Sequence, residues 1–112
     1  MGDATLIMRR SASIEYENGQ IVSIRMDLFA IEGGANGFRF SWIAFDLFEP
    51  DRRVLFDNHP PKGPHFHRQG QETSFEWNGV PHALKLFVDL VRIEFGDHPD
   101  LTDFLEYEGE DL

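Results

Sequence analysis

Ser11-Ala12-Ser13-Ile14-Glu15-Tyr16-Glu17-Asn18-Gly19-Gln20-Ile21-Val22-Ser23-Ile24-Arg25-Met26 holds two alternating runs on either side of an Asn-Gly pair. Before the pair, Ala12, Ile14 and Tyr16 alternate with Ser11, Ser13 and Glu15; after it, Val22, Ile24 and Met26 alternate with Ser23 and Arg25. A period of two is that of a half-buried strand. Asn-Gly is the strongest short hairpin signal, because both turn positions tolerate positive φ. The stretch predicts an antiparallel hairpin, and with it a sheet that has one apolar face.

The pattern extends both ways. Upstream, Leu6 and Met8 continue the even-numbered face and give a first strand over 5–16. Downstream, Leu28 and Ala30 carry the second strand to Ile31, and Gly33-Gly34-Ala35-Asn36-Gly37 is a loop by composition. A third strand over about 38–48 has apolar residues on both faces, which places it centrally. Its Phe38, Phe40, Trp42, Phe45 and Phe48 sit at strand spacing and are expected in the core rather than on a base-stacking surface. Glu49-Pro50-Asp51-Arg52 turns the chain into a short fourth strand, 53–56, and Thr73, Phe75 and Trp77 mark one face of a fifth over 73–77.

Asn78-Gly79 ends the sheet. Pro81 suits a first helical turn, where its missing N–H costs nothing. Val80, Leu84, Phe87, Val88, Val91 and Phe95 recur at helical spacing, Gly96 closes the helix and Pro99 prevents its continuation. The fold class is α+β: an antiparallel meander of about five strands with one C-terminal helix packed across it. Residues 1–97 form a single domain and 98–112 an acidic tail.

Composition supports one packed domain. The 112 residues include eleven Phe and two Trp, enough for a single core. The absence of cysteine excludes disulfides and thiolate metal sites. Met1-Gly2-Asp3-Ala4-Thr5 lacks the basic start of a secretory leader, and no apolar run reaches spanning length, so a cytoplasmic protein without a membrane is expected. The net charge of −10 is unevenly spread. The last fifteen residues hold six acids and no Lys or Arg, leaving −4 on the other 97. The plain expectation for this tail is a solvated, frayed end; the sharper one is a strip that competes with phosphate for a basic patch.

Chemistry concentrates in Asp57-Asn58-His59-Pro60-Pro61-Lys62-Gly63-Pro64-His65-Phe66-His67-Arg68, where three of five histidines fall within nine residues. An exposed loop is expected. Imidazoles act as base and acid near neutral pH, so His59, His65 and His67 suit proton transfer in RNA cleavage, with Asp57 orienting a histidine. Lys62 stabilises phosphate charge; Asn58, Gly63, Arg68 and Arg53 complete the substrate contacts. Side chains suffice for this chemistry, so no cofactor and no metal is called for. Metal binding is the competing chemistry. His65 and His67, at i and i+2 of a strand, share a face, and with Glu72 they match half of a cupin motif. The glycine six residues before the first histidine and the second cupin motif are both missing. No nucleophile elbow, P-loop or dinucleotide fingerprint occurs. His82 and His98 stand near helix ends and suit surface or capping roles.

The segment resembles the TumE-type toxins of bacterial toxin–antitoxin modules. The elements that carry the resemblance are Asp57-Asn58-His59, Pro61-Lys62-Gly63, His65-Phe66-His67, Gly70-Gln71-Glu72 and Phe75-Glu76-Trp77, and the likeness spans roughly 4–95. Pro61 stands where the family has the first glycine of Gly-Lys-Gly, and the acidic tail is unusual for such a toxin. The resemblance implies a helix-turn-helix antitoxin as partner; RNA as a target is expected from the His/Lys chemistry of the segment. A non-catalytic protein-binding module and a metal-dependent cupin-like enzyme are the alternatives.

Overall fold

The computed structural model describes residues 3–32, 37–59 and 61–109; Gly33 to Asn36 of the expected glycine loop, Pro60, Glu110 and Asp111 lie outside the described residues. The first hairpin forms at Asn18-Gly19. Tyr16 N–H donates to Gln20 O at 2.8 Å and Gly19 N–H to Tyr16 O at 2.9 Å. Only Gly19, at φ +88°, enters the left-handed region, so the turn uses one such residue where a pair was expected. A type I turn closed by a left-handed glycine has this form.

This hairpin joins β1 (Ala4–Glu15) to β2 (Ile21–Ile31), and the meander continues through β3 (Phe38–Asp46) and β4 (Arg53–Asp57). β5 (His65–Arg68) and β6 (Gln71–Ser74) complete one antiparallel six-stranded sheet in chain order. The α+β class and the central β3 are as expected. Part of the expected exposed loop is instead β5, and the expected fifth strand begins earlier, at Gln71, and ends at Ser74. The β5–β6 turn is Gln69-Gly70, at φ +52° and +75°. Phe75 and Trp77 leave the sheet yet pack inward, Trp77 stacking on Phe40 at 5.0 Å.

One face is apolar. Met26, Trp42 and Phe56 lie side by side on neighbouring strands and are fully buried. Helix α1 (Val80–Phe95) crosses this face, and Phe87 meets Trp42 and Phe56 edge-on at 5.9 and 5.2 Å. All six residues of the expected helical stripe are buried, each side chain contributing about 1.5–3 kcal/mol. Leu6 departs from the expected alternation. A β-bulge between Leu6 and Met8 sets Leu6 opposite Phe29 on the far face, where it is 45% exposed.

The tail also differs from expectation. Pro99–Leu105 is a 3-10 helix with Leu101 and Phe104 in the core, so this part is docked rather than frayed. His98 caps it, accepting from Asp100 N–H at 3.1 Å. The Arg10 guanidinium donates to Phe104 O at 3.0 Å and to Glu106 O, and Tyr16 Oη–H to Gly96 O at 2.9 Å. Leu101 and Phe104, with Leu105 and Tyr107 packed against the same core, join these bonds in holding an otherwise acidic segment. Pro99–Leu105 is thereby held near β1, at the sheet edge opposite β6 and away from the histidines, while Glu110 and Asp111 of the expected strip lie outside the described residues.

Candidate functional site

Strand alternation sorts the histidine segment. Phe56 faces Phe66 on the α1 side, stacked at 5.3 Å, so their neighbours must point the other way. Asp57 opposes His65, and His67 opposes Glu72, on the face that carries no helix. Four short-range contacts then build a cluster. His65 Nε2 lies 3.0 Å from Asp57 Oδ1 and 3.7 Å from Glu72 Oε1. His67 Nε2 is 3.4 Å from the same Glu72 oxygen, and Lys62 Nζ bonds it at 2.7 Å.

His65 is the fixed member, only 3% exposed. Its Nδ1 lies 2.7 Å from Gly63 O, which can only accept, so Nδ1 carries the hydrogen and Nε2 is turned toward the carboxylates. Gly63 takes φ +70°, the turn that presents this carbonyl. The Lys62 ammonium, followed by the two imidazoles, holds the Glu72 carboxyl below its usual range against a desolvation effect that raises it. Glu72 is therefore a fixed anion between three cationic or proton-bearing groups.

The other expected site residues are dispersed. Asn58 is buried: its amide accepts from Phe40 N–H and donates to Phe38 O, both at 3.0 Å, which clamps β4 to β3. His59 is exposed, with its backbone N–H on Asp57 Oδ1 at 3.1 Å and its Nδ1 3.4 Å from the Arg39 guanidinium. Arg53 is exposed on the helix-free face, opposite Phe45. Arg68 is on the other face, opposite Val54, and pairs with Glu94 of α1 at 3.5 Å, so it is not beside the cluster. Arg52 bonds the same Glu94 at 3.0 Å.

Two features are not legible along the sequence. Spacing marks Glu72 only as part of a cupin-like match, whereas the β5–β6 hairpin places it against both histidines. Arg25 and Arg39 join Arg53 on the helix-free face, and among the described residues none of the three forms an ion pair. Odd-numbered positions opposite the apolar stripe were the available signal. Phe29 and Phe45, half-buried, lie among these arginines. The helix-free face thus presents Arg25, Arg39 and Arg53 without ion pairs, next to Asp27 held by Arg9 at 2.7 Å and with a His/carboxylate cluster toward its β6 edge.

No family model, curated protein or solved structure matches the chain.

Proposed function

We propose that this chain is the toxin-like component of a toxin–antitoxin pair and that it binds and cleaves RNA on the helix-free face of its sheet. The observation that supports this reading is convergence. The segment that carries the family resemblance supplies Asp57, Lys62, His65 and His67 to one cluster, and Arg25, Arg39 and Arg53 lie on the same face. Arginines without ion pairs on a sheet engage phosphates, while half-buried aromatics among them offer base contacts.

In the reaction the 2′-oxygen forms a bond to phosphorus as its proton passes to an imidazole. The bond from phosphorus to the 5′-oxygen then breaks as an imidazolium returns a proton. His67, half-exposed, and His59, exposed, are the rings a substrate reaches; His65, buried and held on both sides, positions the cluster. The resemblance supplies the partner, a helix-turn-helix antitoxin. No helix among the described residues is long and apolar enough to cross a membrane.

The test joins binding to turnover. The triple variant Arg25→Ala, Arg39→Ala, Arg53→Ala should weaken binding of single-stranded RNA and flatten its salt dependence by about two units of log–log slope. His67→Ala should abolish RNA cleavage and growth inhibition while leaving RNA affinity nearly unchanged. RNA affinity indifferent to the three arginines, with growth inhibition intact in His67→Ala, overturns the reading in favour of a protein-binding module.

A further inference from the structure

The donor atoms of Asp57, His65 and His67 all lie within 4.8 Å of one another. Ligands bound about 2.0–2.2 Å from a tetrahedral ion sit roughly 3.4 Å apart. The 3.0 Å between Asp57 Oδ1 and His65 Nε2 is close to that spacing, and small side-chain rotations bring the third atom of the group into range. We infer that Asp57, His65 and His67 bind one divalent transition-metal ion, beside the Glu72 carboxylate that Lys62 holds.

The second observation is the ring orientation of His65. A metal-ligating imidazole typically donates its other N–H to a carbonyl or carboxylate, which fixes the tautomer and aims the lone pair. His65 does this with Gly63 O at 2.7 Å, from a side chain only 4% exposed. Its Nε2 then points at Asp57 Oδ1 and Glu72 Oε1, which only accept. Lone pairs facing one another at 3.0 Å require a positive centre among them, either a proton or a cation. His67, whose ring lies 5.0 Å from that of His65 by centroids, brings a second imidazole to the same point. Two imidazole nitrogens and a carboxylate oxygen suit zinc and its first-row neighbours better than magnesium, which prefers six oxygens.

The ion would deepen the proposed activity, on which its catalytic meaning rests, as a Lewis acid for phosphate oxygens. His67 then serves as a ligand, and proton transfer falls to His59. Lys62 gains an opposing role, since its ammonium occupies Glu72 Oε1 at 2.7 Å.

Calorimetric titration of chelator-stripped, full-length protein with Zn²⁺ should give one site per chain. Co²⁺ at that site should show the visible absorption of a four-coordinate ion. His67→Ala and Asp57→Asn should weaken binding by more than about a hundredfold, beyond the usual effect of outer groups. His65→Ala risks the fold because the ring is buried, and those two variants keep the test independent of it. Lys62→Met should tighten Zn²⁺ binding while weakening RNA binding, a split that a purely structural lysine does not produce. His82→Ala, on an exposed helical position, should change nothing. Absence of a 1:1 site, or equal affinity in His67→Ala and Asp57→Asn, overturns the inference and assigns the gap to a proton. RNA cleavage that persists in excess chelator also overturns the metal's catalytic role while leaving the ribonuclease reading intact. A Zn²⁺ site without RNA binding does the reverse.

Discussion

The two faces of the sheet are made by the same alternation but obey different constraints. Under α1, Met26, Trp42, Phe56 and Phe87 exclude water and pack ring against ring. On the other side Asp27, Ser41 and Asp57 stand opposite one another on the same three strands, beside solvent. His65-Phe66-His67-Arg68 shows how the first face governs the second. Phe66 is drawn inward by Phe56, and both histidines are thereby turned outward. A one-residue slip of β5 would point Phe66 at solvent and both imidazoles at the core. The packed face holds the register, and the chemical face inherits it.

The largest effect expected from this contrast is on stability. Trp42→Ala should cost about 3–5 kcal/mol in urea unfolding, whereas Arg25→Ala, one step back along the β2–β3 lattice on the opposite face, should stay within about 0.5 kcal/mol. Equal costs would break the comparison. Asn58→Ala should come next. It leaves Phe40 N–H and Phe38 O without their buried partner, at about 1–3 kcal/mol. A loss of RNA affinity with unchanged urea midpoint would return Asn58 to the substrate surface, where the sequence alone had put it.

The smallest effect is an acid sensitivity at the turn between β3 and β4. Asp46 accepts from the Gln20 amide at 2.9 Å and from Phe48 and Glu49 N–H at 2.8 and 3.0 Å. These bonds, the Gln20 one first and with Arg52 adding a smaller attraction, hold its carboxyl below the usual range. A carboxyl lowered by folding stabilises above its unfolded value of about 3.9, and the contribution is lost as pH falls through the lower folded value. The stability difference between the native chain and Asp46→Asn should therefore be present at pH 7 and shrink below about pH 4. Urea midpoints at the two pH values check this; a constant difference would show that the carboxylate's charge is not involved.

Legibility in the sequence followed the same division. Wherever burial imposed a period, as in β2, β3 and α1, the residues announced their element and its inner face. Where a local device intervened, the period misled. The bulge beside Ile7 reversed Leu6, and Gln69, a non-glycine residue at positive φ, made a hairpin that composition did not mark. β5 and β6 have only four residues each, too few for a period to show. His65, His67, Asp57 and Lys62 were visible as residue types in one segment. Glu72 and the arginines required the register, because pairing across strands is not written in spacing along one of them.

Tyr16, Arg10 and His98 tie β1 to residues 80 or more positions later: Tyr16 to Gly96, Arg10 to Phe104, and His98 to Glu15 O at 3.1 Å. Every strand, by contrast, pairs with its chain neighbour. During synthesis the six strands can therefore join one after another as they emerge, each closing only a short loop. The apolar face they create stays uncovered until Val80–Phe95 arrives, and the last latch is the Leu101–Phe104 segment on the very first strand. Ribosome-bound chains that stop before Val80 should thus be sticky sheets, recognised by a holding chaperone, and release should coincide with appearance of the helix.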